Sequence, residues 1–77
     1  MRVRNAEGIL IAVIPDRLAG DIMNMGAGKW RSYQDVGKGK TQCYELTRDV
    51  EVGNRYNGDG GICIPLWTGY ILVDEKY

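Results

Sequence analysis

Between Gln42 and Val52, apolar and polar side chains alternate with a period of two. Gln42, Tyr44, Leu46, Arg48, Val50 and Val52 share one mostly apolar face, and Cys43, Glu45, Thr47, Asp49 and Glu51 share a polar one. That period predicts a half-buried antiparallel strand, which Arg48-Asp49 bends or splits in two. Ile9 to Ile14 is apolar at every position and β-branched at most of them, a pattern expected of a central strand. Residues 16–25 read two ways. Leu18, Ile22 and Met25 lie at helical spacing behind Asp16, a candidate cap, but Gly20 in the middle disfavours a helix by about 1 kcal/mol. A Leu-Ala-Gly-Asp turn leading into a short strand is the preferred expectation. After the turn Gly26-Ala27-Gly28, a strand is expected from Trp30 to Val36, with a hairpin tip at Gly37-Lys38-Gly39-Lys40. Asn57-Gly58-Asp59-Gly60-Gly61 is the strongest turn signal. The last strands are Ile62–Trp67 and Tyr70–Val73, broken at Thr68-Gly69.

Short strands punctuated by glycine turns predict an all-β fold, a small partly open barrel or sandwich of five to seven strands. Seventy-seven residues suffice for one domain, 1–77, with a thin core. Ten basic and ten acidic residues cancel, so no net charge draws the chain to nucleic acid or membrane. Phe is absent, and Trp30, Trp67 and five tyrosines keep a polar handle suited to half-buried, ligand-facing positions. Two cysteines fall short of a secreted disulfide framework, although one Cys43–Cys63 bridge is possible on counting alone. The apolar run near the N-terminus is too short for a secretory leader, and none approaches the ~20 residues of a membrane helix. The expectation is a cytoplasmic or virion-associated protein with reduced thiols and no membrane span.

Candidate chemistry is sparse. Without histidine there is no Ser-His-Asp or Cys-His arrangement, no histidine metal ligand and no imidazole base, and Ser32 is the only serine. Two isolated cysteines do not make a zinc site. Gly26-Ala27-Gly28-Lys29 fails as a phosphate loop, because Met23 and Trp30 stand where glycine and Ser/Thr are needed. Asn57-Gly58-Asp59-Gly60 fails as a calcium loop, because Arg55 and Leu66 fall on the essential ligand positions. The expectation is a non-enzyme with no metal and no cofactor.

Two segments remain as binding surfaces. Ile62, Ile64 and Leu66 claim the core, which turns Cys63, Pro65 and Trp67 to the opposite face. Pro marks an edge strand, and an outward Trp on an edge is a docking site for a partner protein or a second copy. Pro65, Trp67 and Tyr70 are therefore the expected contact residues. The alternative is the hairpin 29–40, where Lys29, Arg31, Lys38 and Lys40 interleave with Trp30 and Tyr33. Cations beside stacking rings hold single-stranded nucleic acid or another anionic polymer.

Trp67-Thr68-Gly69-Tyr70-Ile71 and the final Tyr77, with Met1-Arg2-Val3-Arg4 and Leu18-Ala19-Gly20-Asp21, resemble the closing and opening strands of bacterial SH3-like domains. The resemblance covers both ends and leaves 22–61 unmatched. It implies a five- or six-stranded barrel that binds peptides, cell-wall polymers or proteins, with no catalytic residue. The expected function is non-catalytic binding to another protein, as adaptor, inhibitor or structural part of an assembly. Phage-encoded chains are frequent among proteins of this size, and a homo-oligomer is allowed.

Overall fold

A computed structural model describes residues 1–35, 39–54 and 62–74. Among these residues, seven strands and one helix follow the order β1 (Arg2–Arg4), β2 (Leu10–Val13), α1 (Asp16–Asn24), β3 (Gly28–Asp35), β4 (Gly39–Leu46), β5 (Val50–Asn54), β6 (Ile62–Leu66) and β7 (Ile71–Val73). Five strands form an antiparallel sheet in the order β2-β1-β7-β4-β3, and β5 and β6 form a separate antiparallel ribbon. The sheet does not close on itself, so the domain is an open all-β architecture with edges at β2 and β3.

Directly paired residues share a face, so the register sorts the side chains. Ala12, Val3, Leu72, Tyr44 and Trp30 lie across one face. Val3, Tyr44, Leu46 and Leu72 there pack with Leu18 and Ile22 of the helix and with Val50, Val52 and Leu66 of the ribbon. The main core is therefore the layer between sheet, helix and ribbon. The opposite face holds a smaller cluster, Cys43, Ile71 and Val73, with Tyr33 packed on it. Being buried on both sides, β7 is the sheet's true central strand.

The alternation over 42–52 is realised as β4 and β5, separated at 47–49, with Tyr44, Leu46, Val50 and Val52 all buried. Three expectations are corrected. Residues 16–24 form a helix, not a turn and strand. Leu18, Ala19 and Ile22 bury one stripe of it, and burying a Leu or Ile stabilises by about 1.5–3 kcal/mol, more than Gly20 costs. Asp16 sits in the first turn beside the helix dipole rather than at the cap, which is Pro15. Asp16 also holds the Met1 ammonium at 3.2 Å.

The second correction concerns Ile9–Ile14, which supplies an edge strand instead of a central one. β7 takes the inner side of β1, leaving β2 a single neighbour, and a bulge between Val3 and Arg4 disturbs their register. Third, Cys43 is fully buried rather than on a polar surface. Its neighbours across the sheet are Val73 and Arg31, so this face is apolar beside β7 and polar towards the β3 edge. Both cysteines are free, Cys43 inside and Cys63 on the surface. Val36 to Lys38, the 57–61 turn and Tyr77 lie outside the described residues.

Candidate functional site

The corner joining β6 to β7 is built from the core outwards. Leu66 is buried, and the next residue, Trp67, is turned to solvent with 51% of its surface exposed. The chain then reverses through Thr68 and Gly69, where φ of +92° requires glycine. The Tyr70 amide donates to the Trp67 carbonyl at 3.1 Å, and the Gly69 amide to the Leu46 carbonyl at 2.9 Å. Leu46 returns its own amide to the Tyr70 carbonyl at 2.8 Å, so the turn is fastened to the end of β4.

Tyr70 is half-buried against the main core, and its ring meets that of Trp67 edge-on at 5.4 Å. Asp49 adds a clamp. One carboxylate oxygen accepts from the Thr68 amide at 2.7 Å and from its hydroxyl at 2.9 Å. Those donors, the backbone amide first, hold the Asp49 carboxyl below its ordinary value of 3.8. Next along the chain, Arg48 donates to the Met25 carbonyl at 3.0 Å. Met25 and Trp67 are both exposed apolar side chains. Pro65 is exposed on β6, opposite Glu51, and among the described residues β6 pairs with β5 alone. The structure gathers Trp67 and Tyr70 into one feature and sets Pro65 two residues away along the ribbon's edge. Asp49 and Thr68 are members of this corner that sequence reasoning missed. Asp49 lies 19 residues from its partner, so no local spacing announces the pair.

The hairpin 29–40 is divided between the two faces. Trp30 lies on the core face, edge-on to Tyr44 at 5.4 Å and still 54% exposed because it stands at the sheet's rim. Lys29, Arg31 and Tyr33 occupy the other face. Arg31 reaches Glu45 at 3.3 Å, and Tyr33 leans on Cys43, Ile71 and Val73. Lys40, exposed, pairs with Gln34 on the Trp30 face, and Lys38 lies outside the described residues. Trp30 and Tyr33 therefore cannot stack successive bases on one platform, and one of the four cations already has a carboxylate partner.

A third surface was read from the sequence as core. Ile9, Leu10, Ile11 and Val13 on or beside the β2 edge are all exposed, Ile9 and Val13 by more than half. An uncharged run looks the same whether its strand ends up central or at a margin, so only the strand order could have shown it.

Among the described residues, no group of three His, Cys, Asp or Glu side chains is placed to hold a metal ion. No helix among them is long and apolar enough to cross a membrane. Comparison with family models, with curated proteins and with solved structures gives no match to this chain.

Proposed function

We propose that this chain is a non-catalytic binding module whose partner is another protein, docked on the Trp67–Tyr70 corner with Pro65 at its margin. One observation carries the reading. A half-exposed indole meets the Tyr70 ring edge-on at a corner whose backbone is fastened by a tight turn and by two hydrogen bonds from the next residue, Thr68, to Asp49. Binding loses affinity to every side chain it must immobilise, so an anchor fixed beforehand keeps more of its contact energy. Trp and Tyr are the residues that most often dominate protein interfaces. The resemblance of the chain's ends to bacterial SH3-like domains supports the same class of function, since those domains bind peptides, cell-wall polymers and proteins. An adaptor, an inhibitor or a structural part of an assembly, phage particles included, all fit a surface of this kind. Binding of nucleic acid through Lys29, Trp30, Arg31, Tyr33, Lys38 and Lys40 is the weaker reading, because the two rings point to opposite faces.

The test is purification of the tagged protein from its own cells with quantitative mass spectrometry. A partner protein should be retained by the wild type and by Trp30→Ala, survive ~0.5 M salt, and be lost from Trp67→Ala. Retention by Trp67→Ala would overturn the proposal. So would loss of binding in salt together with loss on Lys29→Glu/Lys40→Glu, because neutralised phosphates make affinity fall steeply with ionic strength.

A further inference from the structure

The β3 edge carries a second interaction surface, independent of the Trp67 corner. Its geometry follows from which way the backbone groups point. Leu46 exchanges backbone hydrogen bonds on the β7 side, whereas the Thr47 amide donates towards β3, to the Ala27 carbonyl at 2.9 Å. Since antiparallel bonding alternates along a strand, Lys29, Arg31 and Tyr33 bond inward to β4 through Glu45, Cys43 and Thr41. Trp30, Ser32 and Gln34 then direct their amides and carbonyls away from the sheet. This edge runs eight residues with an unbroken register and contains no proline. Such an edge is an open template for another strand. β2, the other edge, is four residues long and bulged, which is how edges are blunted.

We infer that β3 pairs antiparallel with β3 of a second copy, about a two-fold axis through Ser32, to form a continuous ten-stranded sheet. This register matches every pair. Ser32 faces Ser32 of the other copy once, on the axis, while Trp30 faces Gln34, Arg31 faces Tyr33 and Lys29 faces Asp35 twice each. Opposite charges and a cation beside a ring are favourable cross-strand neighbours. Moving the axis by one residue to Arg31 would set two guanidinium groups against each other, and moving it to Trp30 would set Lys29 against Arg31. The outward groups of Trp30, Ser32 and Gln34 on both copies form six backbone hydrogen bonds. A zero net charge opposes none of this. The contact is isologous and, among the described residues, uses the five-stranded sheet's one unbulged edge, so this sheet stops at two copies. A contact made by one strand edge is expected to be smaller than the roughly 1,200 Å² of stable interfaces, so a weak association is expected.

Sedimentation equilibrium from about 1 µM to 1 mM tests this with the full chain. The wild type should pass from monomer to dimer. Ser32→Pro removes an amide that points outward, so the β3–β4 hairpin should survive while dimerisation weakens at least tenfold. Asp35→Lys should also weaken the dimer, and adding Lys29→Glu should restore it, because the swapped charges meet again. With Cys63→Ser removing the exposed thiol, Ser32→Cys should form a disulfide dimer on mild oxidation, since the paired Cα atoms fall within disulfide reach. A wild type that stays monomeric throughout overturns the proposal, and leaves the edge to a strand of another protein. Undiminished dimerisation of Ser32→Pro, or no rescue by the charge swap, overturns it equally.

Discussion

Gly28→Ala should destabilise the domain by about 2–3 kcal/mol, because β3 lies against β4 more closely there than any side chain allows. A Cβ on Gly28 would stand 2.7 Å from Cε2 of the Tyr44 ring and closer still to the Glu45 carbonyl oxygen. The Tyr44 ring is pinned, buried at its base and accepting the Gly28 amide on its hydroxyl at 2.9 Å. The Glu45 carbonyl belongs to the ladder, so relief requires β3 to move off by about 1 Å. That displacement takes the Gly28–Tyr44 bond, the Thr47–Ala27 bond and the nearer Lys29–Glu45 bond beyond hydrogen-bonding distance. At about 1 kcal/mol each, three lost bonds cost roughly 3 kcal/mol. Replacing glycine recovers about 0.4–1 kcal/mol by restricting the unfolded chain. The remainder compares with a total of roughly 4–12 kcal/mol for this length, so the variant folds but melts about 8–24 °C lower. Urea denaturation with a two-state fit measures it, and an unchanged slope attributes the shift to the native state. A Gly28→Ala midpoint equal to the wild type's would refute the close β3–β4 approach at Gly28.

Gly20→Ala should act in the opposite sense, raising stability by about 0.5–1 kcal/mol in the same urea assay, because a Cβ there meets nothing within 4 Å and the residue is helical. Protonating Asp49 should loosen the Trp67 corner. Its folded pKa lies below its unfolded value, so the stabilisation is complete above about pH 4 and fades as pH falls through the folded pKa. Thr68 amide shifts in an NMR titration should move only below pH 4, and Asp49→Asn should abolish that transition. Under native conditions a maleimide reagent should modify Cys63 and spare Cys43, with both reacting after denaturation, as mass spectrometry of the adducts would show.

The parts of the fold legible in the sequence were those with a two-residue period or a glycine at a reversal. Tyr44, Leu46, Val50 and Val52 fell on the buried face as their alternation required, and Gly69 marked the β6–β7 corner. The helix was hidden by one residue. Gly20 carries a local penalty that any propensity reading counts, whereas the opposing gain from Leu18 and Ile22 exists only once sheet and ribbon are there to pack against. Strand order was hidden for a different reason. Ile9–Ile14 and Ile71–Val73 are both uncharged β-branched runs, and which of them is central depends on pairings with Arg2–Arg4 that leave no mark on either run's composition.

The same distinction separates the two candidate surfaces. Period-two geometry was enough to turn Pro65 and Trp67 away from Leu66, since the relation spans only neighbours on one strand. It was also enough to separate Trp30 from Tyr33, three residues apart and so on opposite faces, a parity that clustering them as basic and aromatic ignored. What no periodicity contains is the long-range fastening: Asp49 on Thr68, Tyr44 under Gly28, Glu45 on Arg31. Each joins residues 14 to 19 positions apart, and each acts on a side chain or strand already placed by its own alternation. Local pattern thus sorts side chains between the two faces of a strand, while strand order and tertiary contacts decide which face is covered and which side chains gain long-range partners. Trp67 and Trp30 are both exposed, and each ring meets a tyrosine edge-on at 5.4 Å. Trp30 stands on the edge whose outward backbone groups, more than its ring, are the feature a second strand would use.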